Sequence, residues 1–231
     1  RDGFMQADGQ GLEIAAGDWE AAADKAKLHA YSHAGQSCIS IQRILVHEDI
    51  AEGFIQRLKT NVESLKVGDP MDPDTDVGPL ITRGDRDRVK EWVDEAVASG
   101  AELVTGGELV DEDRCLAPTL LRHPSREAKV WCEEIFGPVA TIDTFSDFDE
   151  ALKMANDSKF GLQAGVFTRD IGRGLKAGNT LEFGGVLINE VPTFRADQQP
   201  YGGVKDSGNT REGPASSVYE LTEERMVTFQ G

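Results

Sequence analysis

Segments typical of helices alternate with segments typical of strands along most of this chain. The clearest helical pattern covers residues 84–99, where apolar side chains recur at helical spacing on one face. Short apolar runs indicate strands at 43–47, 101–105, 137–145, 162–168 and 185–188. Because strands that alternate with helices usually form a parallel sheet covered on both faces, the pattern predicts an α/β fold with a mostly parallel sheet flanked by helices.

The chain divides into three predicted parts. Residues 1–17 are Gly-rich and weakly patterned, so we expect an irregular N-terminal segment. Residues 18–222 form the predicted α/β domain, which opens with an alanine-rich helix whose N-cap is Asp18. Residues 223–231 carry a predicted strand at 226–229, which would pair with an edge elsewhere, for example in another subunit.

Charge and composition exclude several classes of function. The 24 Lys and Arg stand against 41 Asp and Glu, and the net charge of −17 argues against a nucleic-acid partner. No apolar run approaches the roughly 20 residues of a membrane span, and the first residues lack the apolar core of a secretory signal. Three widely spaced cysteines form no disulfide framework, and no histidine lies at metal-ligand spacing from them. We therefore expect no metal site and a reducing, cytoplasmic compartment.

The tetrad Gly35-Gln36-Ser37-Cys38 lies between the first predicted helix and an apolar segment. Gly35 is expected to end that helix and to turn the backbone tightly. If a second helix began near Cys38, its thiol would lie at the positive end of the helix dipole, which favours the nucleophilic thiolate. The alternative is that Cys38 is a small buried hydrophobe, and the tetrad alone favours this alternative.

Two further motifs follow the tetrad along the chain. They are Glu-Glu-Ile-Phe-Gly-Pro at 133–138 and Pro-Tyr-Gly-Gly-Val-Lys-Asp-Ser-Gly at 200–208. Gly-Asp-Pro at 68–70 and Asp-Val-Gly-Pro-Leu-Ile at 76–81 lie between the tetrad and the first of them. Together and in this order they resemble the NAD(P)-dependent aldehyde dehydrogenase superfamily. The resemblance runs from about residue 18 to the C-terminus and covers only the C-terminal catalytic portion of that family.

The resemblance implies a reaction and a set of site residues. The Cys38 thiolate would add to the carbon of a small aldehyde, and the Cys38 backbone N–H would be one donor to the resulting oxyanion. Hydride would then pass to NAD or NADP, and the thioester left on Cys38 would be hydrolysed. Glu134 would accept the ribose hydroxyls of the cofactor, and Phe136 would pack beside the nicotinamide. The alternative for this motif is a strand-entry turn with a solvated acidic pair.

The resemblance also implies that the loop after residue 188 walls the substrate entrance. Phe194 would supply an apolar wall, and Arg195 is the candidate to hold an anionic group of the aldehyde, because Arg pairs bidentately with carboxylate or phosphonate. The alternative for Arg195 is an ion pair with Asp197 or another acid, which the acidic composition favours. Segment 200–208 does not follow a strand as a phosphate-binding loop should, so we expect it to be structural packing near the active site.

The chain departs from the family at the general base. The family's Glu-Leu-Gly-Gly glutamate would fall at about Phe4, and residues 1–34 contain no such motif. The asparagine that assists the oxyanion belongs to the dinucleotide-binding half, which has no counterpart here, so we expect the isolated chain to be inactive. The alternative is a non-catalytic remnant whose remaining capacity is self-association. On either reading we expect a homo-oligomer, a dimer or a tetramer. A Cys-His hydrolase that uses His33 is a weaker alternative, because no motif places an Asn or Asp orienter.

Overall fold

A computed structural model describes residues 18–231, together with the backbone of two short strands before them, β1 (Gly3–Ala7) and β2 (Leu12–Ile14). The helices are α1 (Trp19–Tyr31), α2 (Glu48–Glu63), α3 (Arg83–Ala98), α4 (Lys129–Cys132), α5 (Phe148–Asn156), α6 (Ile171–Thr180) and α7 (Pro214–Leu221). The remaining strands are β3 (Ile41–His47), β4 (Glu102–Thr105), β5 (Leu109–Val110), β6 (Cys115–Leu116), β7 (Thr119–Arg122), β8 (Val139–Phe145), β9 (Gln163–Phe167) and β10 (Gly185–Ile188). Short 3₁₀ turns occupy Ser32–Gly35 and Lys205–Ser207.

A mixed, mostly parallel sheet forms the centre of the molecule. Strand β8 runs parallel to both β3 and β7, and β10 runs parallel to β9. Strand β2 pairs in parallel with both β3 and β9, whereas β1 pairs with the same two strands in antiparallel orientation. Strand β4 is antiparallel to β7 at the other edge, and β5 and β6 form a separate two-stranded sheet. The predicted fold class is therefore confirmed.

Both faces of the sheet are buried. Along β3, Ile44 and Val46 pack into the cluster formed with α1 and α2, while Leu45 between them packs into a second cluster with α5 and α6. A strand that is apolar on both faces has to be covered on both, which is the usual environment of parallel strands. None of the helices in the described part of the chain is long and apolar enough to cross a membrane.

The first helix is fixed at both ends. The predicted N-cap Asp18 accepts a hydrogen bond from the Ala21 N–H at 3.1 Å, which satisfies one of the unpaired donors of the first turn. At the other end, the buried Tyr31 hydroxyl donates to the Thr119 carbonyl of β7 at 3.0 Å. The end of helix α1 is therefore fixed beside the sheet, and the tetrad begins shortly after it.

Gly35 makes the tight turn that the sequence predicts. Its φ is +67°, and a Cβ at this position would lie 2.0 Å from the Gly137 carbonyl oxygen. Only glycine lets the backbone approach another backbone this closely. The tetrad and the motif at 133–138 are therefore in direct contact.

The condition for a helix dipole at Cys38 is not met. No helix begins near Cys38; residues 37–40 form a turn closed by a hydrogen bond from Ser40 N–H to the Ser37 carbonyl at 2.9 Å. The apolar segment 116–121 is divided between β6 and β7, because Pro118 has no N–H to continue a ladder. Helix α4 was missed because a single turn is too short to show a periodic pattern.

The two ends of the chain also differ from expectation. Strands β1 and β2 lie within residues 1–17, which were expected to be irregular; their pairing partners are distant strands and not local sequence. No strand forms over 226–229 in the described structure, where Met226, Val227 and Phe229 are largely exposed. A strand requires a partner edge, and the described part of the chain gives this segment none.

Candidate active site

The turn at 37–40 displays the Cys38 thiol at the amino-terminal end of β3. Cys38 is exposed, whereas Ser40 at the end of the turn is buried. The Ser40 hydroxyl donates to the Ala30 carbonyl of α1 at 3.1 Å. Within residues 18–231 the Cys38 backbone N–H has no acceptor. The turn thus presents a thiol and an adjacent N–H donor together, which is the arrangement that acyl chemistry on a cysteine needs.

The thiol contacts the side chain of Tyr201, a residue from the segment expected to be structural. The Cys38 sulfur and the Tyr201 hydroxyl oxygen are 3.3 Å apart. Burial raises the pKa of the Tyr201 phenol well above its usual value, and its contact with Cys38 acts in the same direction. The phenol therefore keeps its proton at neutral pH and is able to donate it in a hydrogen bond.

A cavity of about 340 Å³ opens beside this pair. Glu134 and Leu162 line it together with the glycine-rich segment that follows Tyr201. Burial raises the pKa of the Glu134 carboxyl, and the positive charge of Arg88 partly opposes the effect. A half-buried carboxylate next to the thiol is a suitable acceptor for hydroxyl groups of a bound molecule.

The buried side chain of Gln42 fixes the loop that carries Glu134. Its amide nitrogen donates to the Glu133 carbonyl at 2.7 Å, and its amide oxygen accepts from the Ile135 N–H at 2.9 Å. Because Gln42 lies four residues after Cys38 in the sequence, one segment of the chain positions both Cys38 and the acidic motif. Sequence reasoning missed Gln42; the available signal was a polar residue inside an apolar strand, which has to be hydrogen-bonded when buried.

Phe136 lies in the same loop with 40 % of its surface exposed and a φ of +52°. A non-glycine residue in this region costs about 1–2 kcal/mol, so the surrounding contacts have to hold it there. The ring is exposed toward solvent and is not packed in the core. This placement agrees with a contact residue for a bound molecule.

Phe194 and Arg195 lie in the loop that follows β10, and both line a second cavity of about 240 Å³. Tyr201 also lines this cavity. The Arg195 guanidinium forms an ion pair with Glu212 at 2.8 Å, so the alternative of an internal pair is realised with an acid other than Asp197. Its central carbon also lies 4.2 Å from the centre of the Tyr201 ring. Arg195 therefore contacts the residue that contacts Cys38.

Two contacts attach the loop after β10 to α1. Lys25 forms an ion pair with Glu190 at 2.5 Å, and the Thr193 hydroxyl lies 2.6 Å from Nδ1 of His29. Lys205, in the glycine-rich segment, donates to the carbonyl of Asn156 at 2.9 Å. The segment 200–208 thus has the packing role that was expected, in addition to the unexpected contact of Tyr201.

The two other cysteines are in different environments. Cys115 is buried, as the sequence predicts, and burial raises the pKa of its thiol. Burial also raises the pKa of the partly buried Cys132 thiol, with the negative charge of Glu133 acting in the same direction. His33 makes no side-chain hydrogen bond to a described residue, so no Cys–His pair forms. Among the described residues no cluster of His, Cys, Asp and Glu has the arrangement of a metal site.

The model of the aldehyde dehydrogenase family matches residues 13–227. The chain belongs to the aldehyde dehydrogenase family. The 3-sulfolactaldehyde dehydrogenase of Priestia aryabhattai is 43% identical over 212 residues, which cover 92% of this chain and 44% of that protein. The lactaldehyde dehydrogenase of Methanococcus aeolicus is 39% identical over 197 residues, which cover 85% of this chain and 42% of that protein. This aldehyde dehydrogenase chain therefore spans less than half the length of the curated relatives it matches.

Solved aldehyde dehydrogenases share its fold. Aldehyde dehydrogenase 21 of Physcomitrella patens, in complex with the product succinate, superposes with a TM-score of 0.84 at 38% identity, covering 88% of this chain and 42% of that one. Betaine aldehyde dehydrogenase of Staphylococcus aureus in complex with NAD+ gives a TM-score of 0.83 at 37% identity, and the match covers 88% of this chain and 41% of that one. The mixed sheet described above is the sheet of this family. The position expected for the family's general base, about Phe4, lies in β1, whose side chains are outside the described part.

The burial of Glu134 predicts a pH-dependent gain in stability for Glu134→Gln. A carboxyl whose pKa is raised by folding lowers stability once pH exceeds its ordinary value of 4.5. The amide has no charge to desolvate, so we expect the Tm to rise by about 1–2 °C at pH 7, a figure discounted for partial exposure. At pH 4 the gain should vanish. Glu133→Gln, which breaks the ion pair with Lys159, is the matched control and should bring no gain. An equal gain of Glu134→Gln at both pH values in thermal melts would contradict this account.

Proposed function

We propose that this chain is the catalytic portion of an aldehyde dehydrogenase, and that the whole enzyme oxidises a small aldehyde to the carboxylic acid through Cys38, whereas the isolated chain is expected to be inactive. The observation that carries the proposal is the exposed Cys38 thiol at the cavity lined by Glu134 and Tyr201. Residues 18–222 would form the catalytic domain. A cytoplasmic location is proposed with it, because a reducing compartment preserves a thiol nucleophile.

The residues of the chain suit the first half of this reaction. The Cys38 thiolate attacks the carbonyl carbon; a C–S bond forms, and the carbonyl electron pair moves to the oxygen, where the Cys38 N–H donates to it. Re-formation of the C=O bond would release the hydride of that carbon to the acceptor that the bound cofactor supplies, and would leave a thioester. Attack of water on the thioester would break the C–S bond and give the acid, the Cys38 thiolate and a proton, which passes to solvent.

NAD+ is the proposed cofactor, with NADP+ as the alternative, and when bound it supplies the hydride acceptor. The residues present fit it in one respect: the Glu134 carboxylate is half-buried beside Cys38, where it is able to accept two ribose hydroxyls. Phe136, exposed in the same loop, would pack against the nicotinamide. The NAD+ complex of the related S. aureus enzyme supports NAD+ as the cofactor.

The proposed substrate is a small aldehyde with a polar or anionic substituent. Phe194 and Arg195 would wall its path, and the cavity that they line also contains the amide of Gln163, which is only 6% exposed. An apolar ring beside a guanidinium and a buried amide suits a compact polar group better than a long apolar chain. The relatives named for sulfolactaldehyde and lactaldehyde are consistent with this class.

Acylation by an activated ester tests the nucleophile without the cofactor. p-Nitrophenyl acetate transfers its acetyl group to a reactive thiolate and releases nitrophenolate, so we expect a burst of about one equivalent per chain. Peptide mass spectrometry should find the acetyl group on Cys38. The Cys38→Ser variant should lose the burst, and Cys132→Ser should keep it. Acetylation of Cys132 in place of Cys38 would disprove the proposed nucleophile.

A second candidate function is self-association through residues 223–231. Met226 and Phe229 are 90% and 91% exposed, and large apolar side chains of this kind usually mark a contact surface. Backbone pairing with a second copy would give the segment the partner edge that it lacks.

Sedimentation analysis of the chain tests the second candidate. We expect a dimer or tetramer for the parent chain, and a monomer for the double variant Met226→Ser, Phe229→Ser. Met71 lies in a loop and is 87% exposed, so Met71→Ser is the control variant. This variant should leave the oligomer intact. A parent chain that is monomeric at all accessible concentrations would rule out self-association.

A further inference from the structure

Among the described residues, the cavity beside Cys38 is lined by three acidic residues and by no lysine, arginine or histidine. No helix begins near Cys38, so no helix dipole points at the thiol. The side chains of Glu134, Asp206 and Glu212 line the same cavity, and each brings a carboxyl group. The chain as a whole carries a net charge of −17. If Cys38 is the nucleophile, its thiolate needs a donor from another part of the structure.

We propose that Tyr201 is a positioning residue for the nucleophile, and that its hydroxyl donates a hydrogen bond to the Cys38 thiolate. The inference rests on the proposed function. The Tyr201 hydroxyl oxygen lies 3.3 Å from the sulfur. A thiolate has no proton to donate, so the phenol has to be the donor once the thiol proton has left to solvent. Tyr201 keeps its own proton throughout.

The position of the Tyr201 hydroxyl is fixed by its backbone. The Tyr201 N–H donates to the Glu212 carbonyl at 2.9 Å, and the Glu212 N–H donates back to the Tyr201 carbonyl at 2.6 Å. The next residue, Gly202, has no room for a side chain, because a Cβ would lie 2.1 Å from the Thr210 carbonyl oxygen. The two backbone hydrogen bonds between Tyr201 and Glu212 hold the Tyr201 backbone in place and thereby set the direction of its ring.

The ring itself is held by Arg195. The guanidinium lies over the Tyr201 ring at 4.2 Å, and its ion pair with the Glu212 side chain anchors it. A cation over an aromatic face is attracted by the negative charge of that face. In this arrangement Arg195 acts on the nucleophile through Tyr201, which is a role different from reading the charge of a substrate.

The test compares Tyr201→Phe with the parent chain in the rate at which iodoacetamide alkylates Cys38 between pH 6 and about pH 10. Phenylalanine keeps the ring and its contact with Arg195 and removes only the hydroxyl. Tyr219→Phe, at a 73% exposed position on α7, is the matched control. Glu134, Asp206, Glu212 and Arg195 are unchanged in both variants, so their charges contribute equally.

We expect Tyr201→Phe to slow alkylation of Cys38 about three- to tenfold at neutral pH, which is the range for a partly exposed hydrogen bond to a charged group. The difference should narrow near pH 10, because cysteine thiols in general are ionised at that pH, and the Tm should remain that of the parent chain. Equal rates at every pH, a faster reaction at neutral pH, or an equal slowing at every pH would overturn the inference. Preferential labelling of Cys115 or Cys132 would instead refute the proposed function.

Discussion

The contact between Gly35 and Gly137 is the constraint on which the candidate site depends. The two backbones approach so closely that no side chain fits at Gly35, and Gly137 is itself packed against Val89 of α3. This contact joins the end of the α1 connection to the loop that precedes β8. The hydrogen bonds of Gln42 join the same two regions a second time. Cys38 and Glu134 meet at one cavity because these backbones are held together.

The stability of the domain and the chemistry of the site come from different parts of it. The sheet and its helices bury apolar side chains on both faces, and the site residues lie in the connections. The site also contains features that reduce stability, namely the positive φ of Phe136 and the burial of the Glu134 carboxyl. A rigid sheet is able to offset local costs of this kind, which are common at functional sites.

Local pattern was sufficient for most of the fold. The spacing of apolar residues placed α3 within one residue of its observed ends, and Asp18 caps α1 as expected. The family motifs then pointed to Cys38 and Glu134, although physical reasoning on the tetrad alone favoured a buried cysteine. Tyr201 was missed because its contact with Cys38 joins positions 163 residues apart, and no local pattern records such a contact. The turn at Cys38 was missed because the packing of Gly35 on Gly137, and not helix propensity, decides the backbone there.

The most direct test of this account compares Gly35→Ala with Gly178→Ala. A Cβ at Gly178, inside α6, meets nothing within 4 Å, so alanine there should raise the Tm slightly and leave the reactivity of Cys38 unchanged. Alanine at Gly35 adds a clash and an unfavourable φ, and should lower the Tm by more than about 5 °C. The measurement is the ratio of iodoacetamide labelling at Cys38 to that at Cys132, below the Tm of each variant. The account predicts that this ratio falls in Gly35→Ala alone; a Gly35→Ala chain with the parent's Tm and labelling ratio would contradict it.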